Sequence, residues 1–332
     1  MSGIKSTNDV ANQTSLIKPS TWSLANWQKC GRYYDYQGQQ IFYRDSNCDK
    51  HDQPMPASSA EKPVLLLIHG FPTASWDWHY IWPTLAQDYR LIAVDMMGFG
   101  FSAKPERYSY SIMTQADLIE SVLCELPINQ CHILAHDYGD TVCQELIARC
   151  QERLTAETSE QGVVIQSVCL LNGGLFPETH RARLIQKLLN SPIGFLIAKM
   201  TNKARFQKSL SAVFAPDKQP TREELEQFWQ LASHNNGVAR FHQLIGYINE
   251  RKVYRSRWLH ALQKCPAPLR LINGLLDPIS GQHMVERYKQ LINNADVVAL
   301  PDASHYPQVE VPEQVVNGFY QFQQNIANAT DN

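Results

Sequence analysis

The feature that most limits the fold of this chain is a series of short apolar runs, which are separated from one another by amphipathic segments. In each run the apolar residues are consecutive rather than alternating, which is typical of a strand buried on both faces of a sheet. Helical patterns, for example at residues 112–126 and 138–150, lie between most of the runs. Strand and helix in alternation predict an α/β fold with a mostly parallel central sheet and helices on both faces. The runs are VLLLIHG (64–70), RLIAVD (90–95), CHILAHD (131–137), IQSVCLLNG (165–173), LRLING (269–274) and DVVALP (296–301).

Two segments depart from this alternation. The segment YYDYQGQQIFYRDS alternates aromatic and polar residues around a glycine, which predicts an antiparallel hairpin before the first buried strand. Residues 176–263 contain several helical patterns and no apolar run of the buried-strand type. A helical insertion after the sixth strand predicts a cap over the carboxyl ends of the strands. We therefore expect a core of residues 26–175 and 264–326, a helical cap of residues 176–263 and a flexible segment of residues 1–25.

Charge and composition argue against two kinds of partner. The chain has 332 residues, of which 44% are hydrophobic and 19% charged, and a formal net charge of −2. This balance gives no electrostatic reason to propose nucleic acid or an anionic membrane surface as a partner. The basic run RKVYRSR (251–257) is short, and such runs are more typical of a solvated helix face than of a binding patch.

Cysteine spacing and hydropathy indicate the compartment. The eight cysteines include no C-x-x-C pair, so we expect reduced thiols with neither a disulfide framework nor bound zinc or another metal. The first twenty residues contain no apolar core of a signal peptide, and no apolar run approaches the ~20 residues that a membrane span requires. These features predict a cytoplasmic protein without a membrane span.

The sequence AHDYG (135–139) has the small-x-nucleophile-x-small pattern of a nucleophile elbow. The strained turn of an elbow raises its central side chain above the sheet, and the small residues let strand and helix approach each other. Here the central side chain is Asp137, and a carboxylate can displace a leaving group from a saturated carbon. The product is an ester of Asp137, which water activated by a histidine then hydrolyses. The alternative is that Asp137 only caps the following helix.

The motif HGFP follows the first buried strand, where this architecture has its oxyanion loop. The backbone N–H groups of Phe71 and Tyr138 are therefore expected to donate to the oxyanion that forms on Asp137 during ester hydrolysis. These two groups are the predicted oxyanion hole.

Two later motifs supply a base and an acid. DASHYPQ places His305 just after the last strand, where it can activate water, and LLDPIS places Asp277 after the penultimate strand, where it can orient that imidazole. The chain order of nucleophile, acid and histidine is that of an α/β-hydrolase. Asp137, Asp277 and His305 are therefore predicted to be the catalytic residues.

Together these motifs resemble a known superfamily. HGFP, DMMGFGFS, AHDYG, LLDP and SHYPQVE are similar to the α/β-hydrolase superfamily, specifically its epoxide hydrolase and haloalkane dehalogenase branch. The longer segments LNGGLFPETHR, YINERK and HDYGDTVCQEL resemble the mesoderm-specific transcript protein group within that branch. The similarity runs from about residue 30 to residue 325. It implies an α/β-hydrolase fold, no cofactor, and a small apolar molecule as substrate.

Two reactions remain open, and the resemblance separates them by how the leaving group is stabilised. Epoxide hydrolases use a cap acid, usually tyrosine, whereas haloalkane dehalogenases use the indole that follows the nucleophile and a second Trp or Asn. Here Tyr138 follows the nucleophile and Phe71 stands where many dehalogenases have asparagine, so epoxide hydrolysis is favoured. YINER maps a ring-opening tyrosine onto Tyr247, and His180 is the candidate for a second donor, since no other tyrosine occurs in residues 139–246.

Other functions remain as alternatives. For haloalkane dehalogenation, Trp229 and Trp258 are candidate halide ligands, although a cap tryptophan is more typical of core packing. The chain could also hydrolyse an ester attacked by water alone, or act as a binding module on a hydrolase scaffold. A pure binder has no need of the whole predicted triad. We therefore predict hydrolysis of an epoxide to a diol.

Overall fold

The sheet is the centre of the computed structural model, which describes residues 22–48, 62–156 and 162–330. Within these ranges eight strands form one sheet in the order β1-β2-β4-β3-β5-β6-β7-β8. β1 and β2 form an antiparallel hairpin and β2 pairs antiparallel with β4, whereas the strands from β3 to β8 pair in parallel. The strands are β1 Arg32–Tyr36, β2 Gln39–Asp45, β3 Val64–Ile68, β4 Arg90–Val94, β5 Gln130–His136, β6 Val164–Leu171, β7 Leu269–Gly274 and β8 Asp296–Leu300.

Helices connect the parallel strands, as right-handed crossovers require. A capping box between Ser111 and Thr114 starts α3, and α4 starts directly after β5. The helices are α1 Leu24–Lys29, α2 Trp82–Leu85, α3 Ile112–Glu125, α4 Tyr138–Thr155, α5 Leu184–Leu189, α6 Gly194–Lys199, α7 Lys203–Ser211, α8 Arg222–Ser233, α9 Phe241–Leu244, α10 Tyr247–Val253, α11 Arg255–Gln263, α12 Gln282–Leu291, α13 Pro307–Glu310 and α14 Pro312–Thr330.

The predicted α/β fold with a mostly parallel sheet is confirmed. Each of the six apolar runs contains a strand, and the predicted hairpin is β1 and β2. The reason is burial: the four residues of β3 from Leu65 to Ile68 have no exposed surface, because helices cover both faces of the sheet. The carboxyl ends of β3, β5, β7 and β8 therefore lie along the same edge.

Helices α5 to α11 lie between β6 and β7, and we call them the inserted helices. The described residues of this segment contain no strand. The helical pattern of residues 238–262 is divided into α9, α10 and α11, with breaks at Gly246 and Tyr254. α11 packs on α4, where the indole Nε1 of Trp258 donates to Glu145 Oε2 at 2.9 Å. The division of the chain at residues 176 and 263 stays a prediction.

The predicted flexible segment, residues 1–25, lies outside the described residues as far as residue 21. The remaining residues of that segment lead into α1, which begins at Leu24. The side chain of Ser23 accepts a hydrogen bond from the N–H of Asn26 and so caps this helix. Among the helices of the described ranges, none has both the length and the apolar character of a membrane span.

Candidate active site

Asp137 lies at the sharp turn between β5 and α4. Its backbone has φ 47° and ψ −102°, a conformation that is strained for a residue other than glycine. The turn brings the strand and the helix very close, because a Cβ atom at Gly139 would lie 2.3 Å from the carbonyl oxygen of Ile68. A glycine is therefore required two residues after Asp137, as the elbow pattern predicts.

The loop after β3 contacts the Asp137 carboxylate through its backbone. The N–H of Phe71 donates to Asp137 Oδ2 at 3.1 Å. Gly70 permits this approach, since a Cβ atom there would lie 3.0 Å from the Cβ of Asp137. Tyr138 follows Asp137 at the first position of α4, where backbone N–H groups have no partner within the helix. The structure thus brings the predicted Phe71 donor onto the carboxylate and places Tyr138 beside it.

His305 and Asp277 form a buried pair on the loops after β8 and β7. His305 Nδ1 lies 2.8 Å from Asp277 Oδ2, and the ionised carboxylate accepts the proton of this hydrogen bond. Asp277 also accepts hydrogen bonds from Asn172 Nδ2 at 3.0 Å, Ser280 Oγ at 2.7 Å and the N–H of Ile279 at 2.7 Å. Although burial raises the pKa of Asp277, the charge of His305 and these hydrogen bonds hold it below its usual range. The carboxylate therefore fixes the imidazole with Nε2 free.

The pKa of His305 responds to both predicted carboxylates. Burial lowers this pKa, but the charge of Asp277, their hydrogen bond and the charge of Asp137 raise it to about 9. With both negative charges present, the imidazole holds two protons at neutral pH. Loss of the charge on Asp137 would lower the pKa of His305 and favour the neutral form, which can act as a base.

His136, the last residue of β5, supports the loop that carries His305. Its Nε2 lies 2.7 Å from the backbone carbonyl oxygen of His305. Burial and the charge of His305 lower the pKa of His136 to about 3, so the ring is neutral and its Nε2–H donates. This contact ties the loop that carries His305 to the end of β5.

Tyr247 approaches Asp137 from the inserted helices. It is the first residue of α10, it has no exposed surface, and its ring centroid lies 4.7 Å from that of Tyr138. Burial and the negative charge of Asp137, with which its hydroxyl also interacts, raise the pKa of Tyr247 above its usual range. The hydroxyl consequently stays protonated and can donate. The structure brings this predicted donor to the nucleophile.

Arg251 is a site residue that the sequence interpretation missed. Only 1% of Arg251 is exposed, and its Nε donates to Thr141 Oγ1 at 2.8 Å. Its Nη2 donates to the backbone oxygen of Asp137 at 3.2 Å and lies 3.9 Å from Asp137 Oδ1. The guanidinium carbon is 4.5 Å from the ring centroid of Tyr247. The prediction of a solvated basic face is therefore wrong for Arg251, and its spacing of four residues from Tyr247 was the available signal.

His180 lies beside Arg251. A Cβ atom at Gly174 would lie 2.3 Å from Arg251 Nη1 and 3.1 Å from His180 Nδ1. Both ring nitrogens of His180 and Nη1 of Arg251 are buried without a hydrogen-bond partner among the described residues. Burial and the charge of Arg251 lower the pKa of His180 to about 3, so its ring is neutral. The structure brings His180 next to Arg251.

The two candidate halide ligands have other contacts. The indole N–H of Trp258 donates to the carboxylate of Glu145, and the ring of Trp229 packs on Phe206 with centroids 5.6 Å apart. The contact with Glu145 occupies the indole N–H of Trp258, and neither contact involves Asp137. In the part of the chain that the structure describes, no group of three or more His, Cys, Asp or Glu side chains could hold a metal ion.

This chain is similar to known proteins in family, in sequence and in structure. Residues 63–312 match the family described as alpha/beta hydrolase fold. The mesoderm-specific transcript protein of Mus musculus is 38% identical over 310 residues, with 90% of this chain and 88% of that protein covered. Haloalkane dehalogenase DbeA from Bradyrhizobium elkani has a TM-score of 0.69 at 20% identity, with 89% of this chain and 99% of that chain covered. The epoxide hydrolase CorEH has a TM-score of 0.67 at 16% identity and the same coverage.

Proposed function

The chain belongs to the α/β-hydrolase fold family, as its motifs predict, and on this premise we propose that it hydrolyses epoxides to diols through an ester on Asp137. One observation carries the proposal. The two oxygens of the Asp137 carboxylate face different groups: Oδ2 accepts the N–H of Phe71, whereas Oδ1 lies 3.9 Å from Arg251. A nucleophile that forms an ester needs this asymmetry, because one oxygen attacks and the other becomes the carbonyl oxygen.

The first step is the opening of the ring. Oδ1 of Asp137 attacks a carbon of the epoxide, the carbon–oxygen bond of the ring breaks, and the released alkoxide takes the proton of the Tyr247 hydroxyl. The resulting phenolate lies under the guanidinium of Arg251, whose positive charge stabilises it. Tyr247 is therefore the proposed acid. The positive charge of Arg251 stabilises its phenolate, as a hydrogen bond from a second donor would otherwise do.

The second step is hydrolysis of the ester. Formation of the ester removes the charge of Asp137, which lowers the pKa of His305 from about 9. The proton that the imidazolium loses restores the hydroxyl of Tyr247 from its phenolate and leaves His305 in the base form. His305 Nε2 then takes a proton from water, and the hydroxide attacks the carboxyl carbon of Asp137. The oxyanion on Oδ2 accepts the N–H of Phe71 and, in this proposal, that of Tyr138. Collapse of this intermediate breaks the bond between the carboxyl carbon and Oδ1 of the ester and releases the diol, whose alkoxide oxygen takes the proton from His305. The carboxylic acid that remains on Asp137 then gives its proton to His305, which restores the carboxylate and the imidazolium of the free enzyme.

Haloalkane dehalogenation is the second candidate, and one observation favours it. Nη1 of Arg251 is buried and has no partner among the residues described, so it could bind a halide that leaves from carbon. Against this candidate, Tyr138 provides no indole donor, and the N–H of Trp258 is taken by Glu145. Epoxide hydrolysis uses Tyr247 directly, and we therefore prefer it. A binding module would not require the buried pair of His305 and Asp277.

The mass of a stalled ester tests the proposal. His305→Gln removes the base but leaves Asp137, so the variant should form the ester and keep it. After exposure to separate pools of epoxides and haloalkanes, a gain of the whole epoxide mass supports ring opening. A gain of the alkyl group alone supports dehalogenation instead. The double variant Asp137→Ala/His305→Gln is the control, and an adduct on it would place the nucleophile elsewhere.

A further inference from the structure

Two adjoining cavities lead from the proposed site towards the inserted helices. The inner cavity, of about 80 Å³, is bordered by His305 and Tyr306. The outer cavity, of about 250 Å³, is bordered mainly by apolar side chains, including Ile197 and Met200. Phe71 and Phe206 border both cavities, so the two cavities adjoin. A long apolar group on the reacting carbon would lie in the outer cavity.

The outer cavity ends beside an exposed cluster of large apolar side chains, which we call the apolar patch. Each member is at least 46% exposed. Four of the ten large hydrophobic residues that are exposed in the described part of the chain belong to it. Ile193, Leu196 and Met200 have the spacing of one helix face along α6, and Met200 also borders the outer cavity. The patch consists of Ile193, Phe195, Leu196 and Met200.

The segment that carries the apolar patch is strongly basic. Residues 181–211 contain seven Lys or Arg residues and no Asp or Glu, although the whole chain has a net charge of −2. Lys203 pairs with Glu226, and the other six form no ion pair among the described residues. The net charge of the whole chain therefore does not show the positive charge of this segment. The basic residues are Arg181, Arg183, Lys187, Lys199, Lys203, Arg205 and Lys208.

We propose that the apolar patch and its basic surroundings dock the protein onto an anionic lipid membrane, and that the outer cavity receives a long-chain apolar substrate from it. Apolar side chains on one face with Lys and Arg around them are the features that bind the headgroup region of a bilayer. Lysine is depleted in ordinary protein interfaces, whereas four of the seven basic residues here are lysines. The statement about the substrate rests on the proposed hydrolase function, whereas the docking itself does not.

Vesicle flotation with the whole protein tests the docking. The wild type should bind phosphatidylcholine vesicles that contain about one-third phosphatidylserine, and high salt should weaken this binding. Phe195→Gln/Leu196→Gln should lower the partition coefficient about tenfold, because two apolar side chains no longer enter the bilayer. Lys187→Gln/Lys199→Gln should lower it on anionic vesicles and not on pure phosphatidylcholine. Leu154→Gln and Lys289→Gln, exposed elsewhere, are the matched controls.

The outcomes separate docking from catalysis. If the wild type binds neither kind of vesicle, the docking proposal is wrong, whatever the protein hydrolyses. If Phe195→Gln/Leu196→Gln changes the oligomeric state instead of the vesicle binding, the apolar patch is a protein contact and the proposal is also overturned. If docking occurs and a long-chain epoxide in the vesicles is turned over, the Phe195 variant should lower that rate relative to a short soluble epoxide. Docking without any epoxide turnover would contradict the hydrolase function alone.

Discussion

The sheet and the inserted helices contribute to the site in different ways. On the sheet side, His305 is held by Asp277 and His136, and four hydrogen bonds satisfy the carboxylate of Asp277. On the side of the inserted helices, Arg251 Nη1 and both nitrogens of His180 are buried without a partner in the described structure. Buried polar groups normally have partners, and unpartnered ones need an explanation. The comparison indicates that the groups that position His305 are fixed before substrate binds, whereas Arg251 and His180 keep polar atoms for the leaving group.

The largest loss of activity is expected from a substitution on the sheet side of the site. Asp137→Ala removes the proposed nucleophile and should lower kcat for epoxide hydrolysis by about 10⁴-fold or more, since no other group can form the ester. Steady-state kinetics measures the effect, and circular dichroism checks that the fold is kept. Substantial remaining turnover would mean that water attacks the substrate directly.

The next largest loss of activity is expected from a change of the proposed acid, Tyr247. Tyr247→Phe should slow ester formation from an epoxide by about 10²-fold, because the alkoxide is no longer protonated in the transition state. Rapid-quench measurement of the ester separates this step from hydrolysis, which should keep its rate. An unchanged rate of ester formation would assign the acid to another residue, with His180 as the first candidate.

Removal of the charge at Arg251 should have an intermediate effect. Arg251→Gln leaves the phenolate of Tyr247 without its cation and should slow ring opening about tenfold. It should also lower the free energy of unfolding by about 3 kcal/mol, because Asp137 loses a buried partner. Arg257→Gln is the matched control, since Arg257 pairs with Glu145 and Glu152 away from the nucleophile. Equal losses of activity in the two variants would make the role of Arg251 purely structural.

The smallest effect concerns the proton of His305. In the free wild type the carboxylates raise the pKa of His305 to about 9, so its imidazolium persists at neutral pH. Removal of the Asp137 charge in Asp137→Ala should lower this pKa, as ester formation should. NMR titration of the imidazole measures it. If the pKa of His305 is equal in the wild type and the variant, ester formation does not activate water in the proposed way.

The same pKa predicts a dependence of stability on pH. The pKa of His305 is higher in the folded protein than the ordinary value of about 6.5 in an unfolded chain. Its contribution to stability is therefore fully present below pH 6.5 and is lost as the pH rises through about 9. Chemical denaturation of the wild type between these pH values should show the loss, and His305→Gln should show less of it.

The sequence predicts the sheet side far better than the helical side. The buried strands are continuous apolar runs, and Asp137, Asp277 and His305 lie within five residues of the strand ends, so local pattern is enough to locate them. The burial of Arg251 depends on how α10 packs across the sheet edge, and a basic run looks the same whether it faces solvent or a nucleophile. For the same reason the sequence pattern did not reveal the apolar patch on α6.

The central claim is that the carboxylate of Asp137 forms a covalent ester with the substrate. Turnover of an epoxide in water enriched in ¹⁸O, followed by mass spectrometry of the peptide that contains Asp137, tests it most directly. Water attacks the carboxyl carbon in the proposed hydrolysis, so the peptide should gain ¹⁸O and the first diol released should carry an unlabelled oxygen from the enzyme. An unlabelled peptide together with one ¹⁸O atom in each diol molecule of the first turnover would contradict the account.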